Sequence, residues 1–217
     1  MIWDWEYAFE VLPTLLGGFK LTLLATFLAF SLALTIGLVL ALLQRSGRWM
    51  VSLPTYGATE FVRRTPELVQ LYFLFYVLPD YGLTLPALMA GVIGLGLHYS
   101  TYVSEIYRAG IESVPRGQWD AALSLDLPRW RVWRSIILPQ AIPGILPALG
   151  NIAILLFKQT ALLSAITVEE VLNVAQQIGS ETFFYVEPLT IAGALYFVVS
   201  YTSSLGVRAL ERRVAHA

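Results

Sequence analysis

The sequence contains no cysteine, which excludes a disulfide framework and any thiolate metal site. It has little charge: 13% of its 217 residues are Asp, Glu, Lys or Arg, whereas soluble domains carry about 25%. Imidazoles are scarce, with only His98 in the body of the chain and His216 in the tail. Neither a His-Glu-x-x-His zinc motif nor a Gly-x-Ser-x-Gly nucleophile elbow is present, so common hydrolase chemistries lack their residues. A Gly-x-x-x-x-Gly-Lys-Ser/Thr loop is absent as well, which leaves no backbone cradle for ATP phosphates. The start lacks the basic residues of a cleavable signal. Met1-Ile2-Trp3-Asp4-Trp5-Glu6 is acidic and aromatic, and the first apolar span is expected to stay in the mature protein. Trp3 and Trp5 suit an interfacial anchor.

What the chain does have is long apolar runs. Hydrophobic residues make up 57% of it. A membrane helix needs roughly 20 apolar residues. Residues 21–44, 81–104, 135–157 and 188–207 carry no Asp, Glu, Lys or Arg. A fifth stretch, about 50–79, is interrupted by Glu60, Arg63, Arg64 and Glu67, with Thr65-Pro66 as its expected break. The expected fold is all-α: a polytopic transmembrane helical bundle of about five spans, one domain over residues 1–217. With the N-terminus outside, the inner segments collect arginines such as Arg45, Arg48, Arg116, Arg129, Arg131, Arg134, Arg208, Arg212 and Arg213. The outer ones collect Asp4, Glu6, Glu10, Asp80, Glu169, Glu170, Glu181 and Glu187. That split follows the positive-inside rule. The longest inner connection is about 113–134. In the outer connection, about 165–187, Thr167-Val168-Glu169-Glu170 looks like a capping box for a short helix that Gly179 would end. The chain shows no internal repeat, which disfavours a self-sufficient secondary transporter.

Ionisable and aromatic groups within spans mark candidate sites. Lys158 follows three prolines spaced by four, Pro139, Pro143 and Pro147. A helix starting near Pro143 or Pro147 puts Lys158 roughly 15–22 Å in. There it meets either a substrate carboxylate or a structural partner on another helix. Glu105 and Arg108, three apart, suit an ion pair on one helix face. His98, Tyr99 and Tyr102 lie higher in the same span, where aromatic faces either pack or receive a cationic group. Lys20 is expected to snorkel to the outer interface.

The inner connection carries the most specific pattern. It reads Gln118-Trp119-Asp120-Ala121-Ala122-Leu123-Ser124-Leu125-Asp126-Leu127-Pro128, followed by Ile136-Ile137-Leu138-Pro139. This resembles the Glu-Ala-Ala loop of ABC-importer permeases, with Asp120 for the Glu and Ala121, Ala122, Ile136, Leu138 and Pro139 in register. Asp126 stands where that family has Gly; Asp tolerates a left-handed backbone better than most residues. Two small residues allow close helix approach, and Asp120 suits a first helical turn. Further stretches resemble the polar amino-acid branch: Arg63-Arg64-Thr65-Pro66-Glu67-Leu68-Val69-Gln70, Glu105-Ile106-Tyr107-Arg108-Ala109-Gly110-Ile111, and Lys158-Gln159-Thr160-Ala161-Leu162, which departs from Lys-Asp-Thr-Ser-Leu at Gln159 and Ala161. Within that branch the runs around 74–80, 96–102 and 114–119 are most similar to the ectoine/hydroxyectoine permeases.

The resemblance implies a type I importer permease in the bacterial plasma (inner) membrane. It implies a second permease subunit as partner, two cytosolic ATP-binding subunits and an extracytoplasmic solute-binding protein. It implies no nucleic acid and no cofactor on this chain, with ATP and Mg held by the partner ATPase. The chain itself is then not an enzyme. The implied coupling residues are Asp120, Ala121, Ala122, Asp126, Leu138 and Pro139; Lys158, Thr160, His98, Tyr99 and Tyr102 are candidates for the substrate path.

Overall fold

The computed structural model describes residues 3–215, and every regular element among them is helical. Met1, Ile2 and His216 lie outside the described residues. The elements in chain order are α1 (Trp5–Gln44), α2 (Trp49–Arg64), α3 (Glu67–Tyr72), α4 (Ala87–Glu112), α5 (Arg116–Ser124), α6 (Arg129–Val132), α7 (Leu138–Gln159), α8 (Val171–Thr182) and α9 (Val186–Ala215). Wider π-helical turns follow α3 (Phe73–Val77) and join α6 to α7 (Trp133–Ile137). Short 3₁₀ segments follow at Leu78–Tyr81 and Thr160–Ile166.

Packing starts from the small residues of α1. Gly18, Thr22, Ala25, Ala29, Ala33, Gly37 and Ala41 form one buried stripe at three- and four-residue spacing. Lipid is as apolar as leucine, so helices associate in it through close backbone packing rather than hydrophobic transfer. α4 lies on this stripe: a Cβ placed on Gly37 would stand 2.6 Å from Val103. Behind the stripe, Leu95, Tyr99, Leu156 and Leu163 close the central core. A second core of Ile111, Val114, Ala122, Val132, Ile137 and Ala141 fixes α5 and α6 to α4 and α7. A third holds α8 against α1 and α9.

Three helical segments are long and apolar enough to cross a membrane, Trp5–Gln44, Arg129–Ile166 and Val186–Val214. The other two expected spans are a different kind of segment. α4 has 26 residues, and Gly91, Gly94, Leu95, Gly96, His98, Tyr99, Ser100 and Thr101 are buried on it. Protein shields these polar groups, so α4 does not need a uniformly apolar surface. The stretch from α2 onward breaks at Thr65-Pro66, as the sequence leads one to expect. Gln70 repairs the break: its Nε2 donates to the Val62 carbonyl at 2.7 Å and to the Thr65 carbonyl at 3.1 Å. Such internal satisfaction is what irregular backbone in a membrane requires.

Successive passages alternate ends. Arg45, after α1, stands 3.7 Å from Glu112 at the end of α4, on the side that bears α5. At the opposite end the Asp4 N–H donates to Glu187 at 3.0 Å, and Tyr7 and Thr182 hydroxyls meet at 2.9 Å.

Four sequence expectations need correction. Asp120 does not lie in a first helical turn, because α5 starts at Arg116. α1 starts at Trp5, not at residue 21, because Asp4 caps it by accepting from the Glu6 and Tyr7 N–H groups. The helix carrying Lys158 does not begin near Pro143 or Pro147; α7 starts at Leu138 and both prolines lie inside it. Lys158 is therefore about 30 Å along α7 at 1.5 Å per residue. In the outer connection Thr167 does not start α8; with φ 64° it ends the preceding 3₁₀ segment. Glu170 caps α8 instead, accepting from Leu172 N at 2.9 Å and Asn173 N at 2.8 Å. Gly179 is interior to α8, packed under Tyr185, and the left-handed Phe183 (φ 62°) ends the helix.

Candidate functional site

The first constellation lies within the bundle, around the break between α2 and α3. Pro66 restarts the chain as a helix, and Glu67 occupies its first turn. The Glu67 carboxylate accepts from the Tyr99 hydroxyl at 2.9 Å and lies 3.2 Å from His98 Nε2. Its side chain retains 18% exposure, so one edge stays reachable. His98 and Tyr99 are buried on α4, at 3% and 1% exposure. With Nε2 directed at Glu67, His98 Nδ1 is buried with no partner among the described residues. The Gln159 side chain, from the end of α7, lies beside the Tyr99 hydroxyl. Three elements thus bring one carboxylate, one imidazole, one phenol and one amide together inside the bundle, where such groups are costly to place.

Glu67 is the functional candidate that the sequence reading passed over. Its signal was available: an acid directly after a Thr-Pro break in an otherwise apolar stretch. The tyrosines need the converse correction. Tyr99 has no open ring face, because it is enclosed by His98 and Tyr102 at centroid distances of 5.3 and 5.9 Å. Tyr102 already has a cation nearby, since the Arg63 guanidinium sits 5.6 Å from its ring centroid. Arg63 also donates to the Thr101 carbonyl and to Glu105, both at 3.3 Å, and pairs with Glu60 at 3.2 Å. Glu105 pairs in turn with Arg108, which reaches Glu112 at 3.0 Å. The expected Glu105–Arg108 pair is one rung of a ladder that ties α2 to α4.

Lys158 points elsewhere. It is exposed on α7 and lines a groove of about 400 Å³ with Tyr196, Ser200, Tyr201 and Ser204 of α9. Its aromatic neighbours are therefore Tyr196 and Tyr201 rather than Tyr99 and Tyr102. No ion pair to Lys158 forms among the described residues. Thr160 is fully buried; its hydroxyl donates to the Phe157 carbonyl at 2.6 Å and lies 3.4 Å from the Tyr196 hydroxyl. It braces the end of α7 and is closed to a solute.

The second constellation is the α5–α6 hairpin. Asp126 takes the left-handed conformation with φ 49°. Its N–H donates to the Leu123 carbonyl at 3.0 Å, and the Leu127 N–H donates to the Ala122 carbonyl at 3.2 Å. This pair of bonds is a Schellman cap, usually built on glycine. Trp119 and Trp133 clamp the hairpin edge to face at 5.5 Å. Ala122 is 0% exposed and faces inward, against Val132, Ile137 and Ala141. The small residue thus lets α5 approach its own chain. Asp120 and Ala121 are exposed, as are Leu138 and Pro139 farther on. Leu123, Leu125 and Trp130 stand out at 75%, 71% and 61% exposure. A rigid, apolar knob at one end of the bundle is suited to enter a partner's cleft. Asp126→Gly should raise thermal stability by about 0.5–1 kcal/mol, and Asp126→Val should lower it by a similar amount or more, because only glycine occupies this region without a Cβ penalty. Thermal unfolding of the purified protein measures both; equal midpoints for Gly and Val would contradict the cap.

Comparison with known proteins supplies the context. The family described as "Binding-protein-dependent transport system inner membrane component" matches residues 33–216. A probable amino-acid ABC transporter permease protein of Sinorhizobium fredii is 44% identical over 205 residues, covering 94% of this chain and 89% of the relative. A second probable amino-acid ABC transporter permease protein, from Bacillus subtilis, is 35% identical over 219 residues, covering 98% and 97%. The crystal structure of an amino acid ABC transporter with histidines superposes with a TM-score of 0.92 at 39% identity, covering 98% of this chain and 100% of that one.

Proposed function

The chain belongs to the family of binding-protein-dependent transport system inner membrane components, and on that premise we propose that it forms half of the translocation path of an ATP-driven importer for a small zwitterionic solute. The observation that carries this reading is the α5–α6 hairpin. It is capped at Asp126, anchored inward through Ala122, and exposes Leu123, Leu125 and Trp130 to a partner. In this reading that partner is one of two ATP-binding subunits, which hold ATP and Mg. A second permease completes the path, and an extracytoplasmic binding protein delivers solute at the opposite end.

The orientation follows from charge. The α5 end carries Arg116, Arg129, Arg131 and Arg134 and is assigned to the cytoplasm of a bacterial plasma membrane. A cytoplasm-active reporter after Arg213 and a periplasm-active reporter at Glu181 should both be active. Reversed activities would overturn the orientation and the docking role of the hairpin together.

The solute proposed is ectoine or hydroxyectoine first and a polar amino acid second. The sequence runs noted above support the first choice, and the amino-acid permease relatives support the class. The membrane-depth groups offer a physical basis. Glu67 can meet a cationic group with a charge-assisted bond, and exposed Lys158 can meet a carboxylate. Weak, separated contacts suit a path that must release what it accepts. Uptake of radiolabelled ectoine, arginine and glutamine by the reconstituted complex with its own binding protein tests the choice. Transport of arginine or glutamine with no ectoine uptake would replace the solute and leave the permease assignment intact.

A further inference from the structure

At the α5 end, α1, α2 and α4 enclose an open pocket of about 670 Å³ that the transport reading does not use. Its walls carry Gln44 at the end of α1, Arg45 just after it, Trp49, Leu53 and Tyr56 from α2, and Arg108 and Glu112 from α4. Glu112 lies between two guanidiniums, 3.0 Å from Arg108 and 3.7 Å from Arg45. The Arg108 charge is also shared with Glu105 behind it. The lining thus sets two guanidiniums against one carboxylate, with Glu105 offsetting part of the Arg108 charge from behind, so the pocket presents both signs. Arg45 makes no other ion pair among the described residues, which leaves most of its N–H donors uncommitted.

The amide of Gln44 adds a directional feature. The Thr59 hydroxyl donates to the Tyr56 carbonyl at 2.8 Å, so its oxygen must accept from Gln44, whose Nε2 lies 2.9 Å away. That fixes the amide's orientation. Gln44 Oε1 is left buried with no partner, an acceptor that calls for a donor. The rim is apolar and aromatic, with Trp49, Leu53 and Tyr56 exposed at 74%, 63% and 53%. Trp and Tyr favour the headgroup level of a bilayer. A soluble ligand gives no reason for such a rim, whereas a molecule with acyl chains does.

We propose that this pocket binds the headgroup of phosphatidylethanolamine. The phosphate takes the N–H groups of Arg45, and Arg108, whose three nitrogens already bond Glu105 and Glu112, adds its charge. The primary ammonium donates to Glu112 and to Gln44 Oε1. The acyl chains leave over Leu53 and Trp49. Phosphatidylcholine carries the same phosphate, but its quaternary ammonium has no N–H to give Gln44. Phosphatidylglycerol has no cation for Glu112. The site thereby distinguishes these headgroups by charge and by N–H donors, and it sits four residues before α5 along the chain, next to the proposed docking hairpin.

Native mass spectrometry of the assembled transporter in detergent, delipidated and then titrated with each phospholipid, reads the site without requiring transport. Phosphatidylethanolamine should be retained at least fivefold more strongly than phosphatidylcholine or phosphatidylglycerol. Arg45→Gln should cut that retention at least fivefold. Trp49→Ala, on the exposed rim, should weaken it without disturbing the fold and serves if Arg45→Gln assembles poorly. Equal retention of the three lipids, or preference for phosphatidylglycerol, overturns the headgroup assignment. A crosslink from Ser52→Cys into an ATP-binding subunit would show that protein covers the pocket, and that also overturns it. Because the readout is lipid retention, its failure leaves the importer reading untouched.

Discussion

Ala122→Glu should reach the membrane at the parent level and yet show neither uptake nor solute-stimulated ATP hydrolysis, a loss of at least tenfold. Ala122 has 0% exposure and lies against Val132, Ile137 and Ala141. A carboxylate buried there without a partner costs several kcal/mol. The hairpin core meets the central core through the partly buried Tyr107 and Leu149 and shares no residue with the α8 core, so most of the strain falls on α5 and α6. The hairpin loosens while the bundle holds. Insertion alone would not separate a broken hairpin from a lost docking contact, and Leu123→Asp makes that separation. Leu123 is 75% exposed, so its replacement leaves the hairpin folded and removes only the apolar surface offered to the partner. Leu123→Asp should also abolish stimulated hydrolysis, with an unchanged melting profile. Parent-level transport by Leu123→Asp and Trp130→Asp together would remove the hairpin from the docking role, whatever Ala122→Glu does.

The contrast between Ala122 and Leu123 shows what could be read from the sequence. The small pair Ala121-Ala122 signals close approach, but spacing alone cannot say what approaches. The answer is the chain's own α7 start, and the outward surface falls to the large apolar neighbours. The turn was legible because Asp at a glycine position has one physical use, a left-handed backbone, and Asp126 has φ 49°. The break at Thr65-Pro66 was legible for the same reason: proline chemistry is local. The prolines of α7 misled because the expectation treated each as a helix start. Pro143 and Pro147 lie inside the helix instead. Prolines spaced by four place their missing bonds along one side, and membrane helices tolerate them when neighbours satisfy the freed carbonyls. Lys158 and the α4 tyrosines were assigned to one path because all are polar at depth. Their separation depends on which face α7 turns toward α4 and which toward α9, and no local pattern encodes that.

Glu67→Gln should fold and assemble like the parent and lower uptake at least tenfold. The amide keeps the shape of the carboxylate, and its oxygen can still accept from the Tyr99 hydroxyl, 2.9 Å away in the parent. What it loses is the charge that can meet a cationic group. Glu67→Leu should behave differently. It strands His98 Nε2 and leaves the Tyr99 hydroxyl with only the Gln159 side chain beside it, both on residues at or below 3% exposure. An unsatisfied buried polar group costs about 1–3 kcal/mol, so this variant should also unfold at lower temperature. The pair separates a structural role from a transport role. If Glu67 only braces α3 against α4, Glu67→Gln transports like the parent and Glu67→Leu is defective through instability alone. If the carboxylate meets the solute, Glu67→Gln loses transport with its melting temperature intact, and binding of solute to the external protein is unchanged. Uptake into proteoliposomes, paired with thermal unfolding of the same preparations, measures both. Parent-rate uptake by Glu67→Gln would end the claim that this carboxylate faces the translocation path.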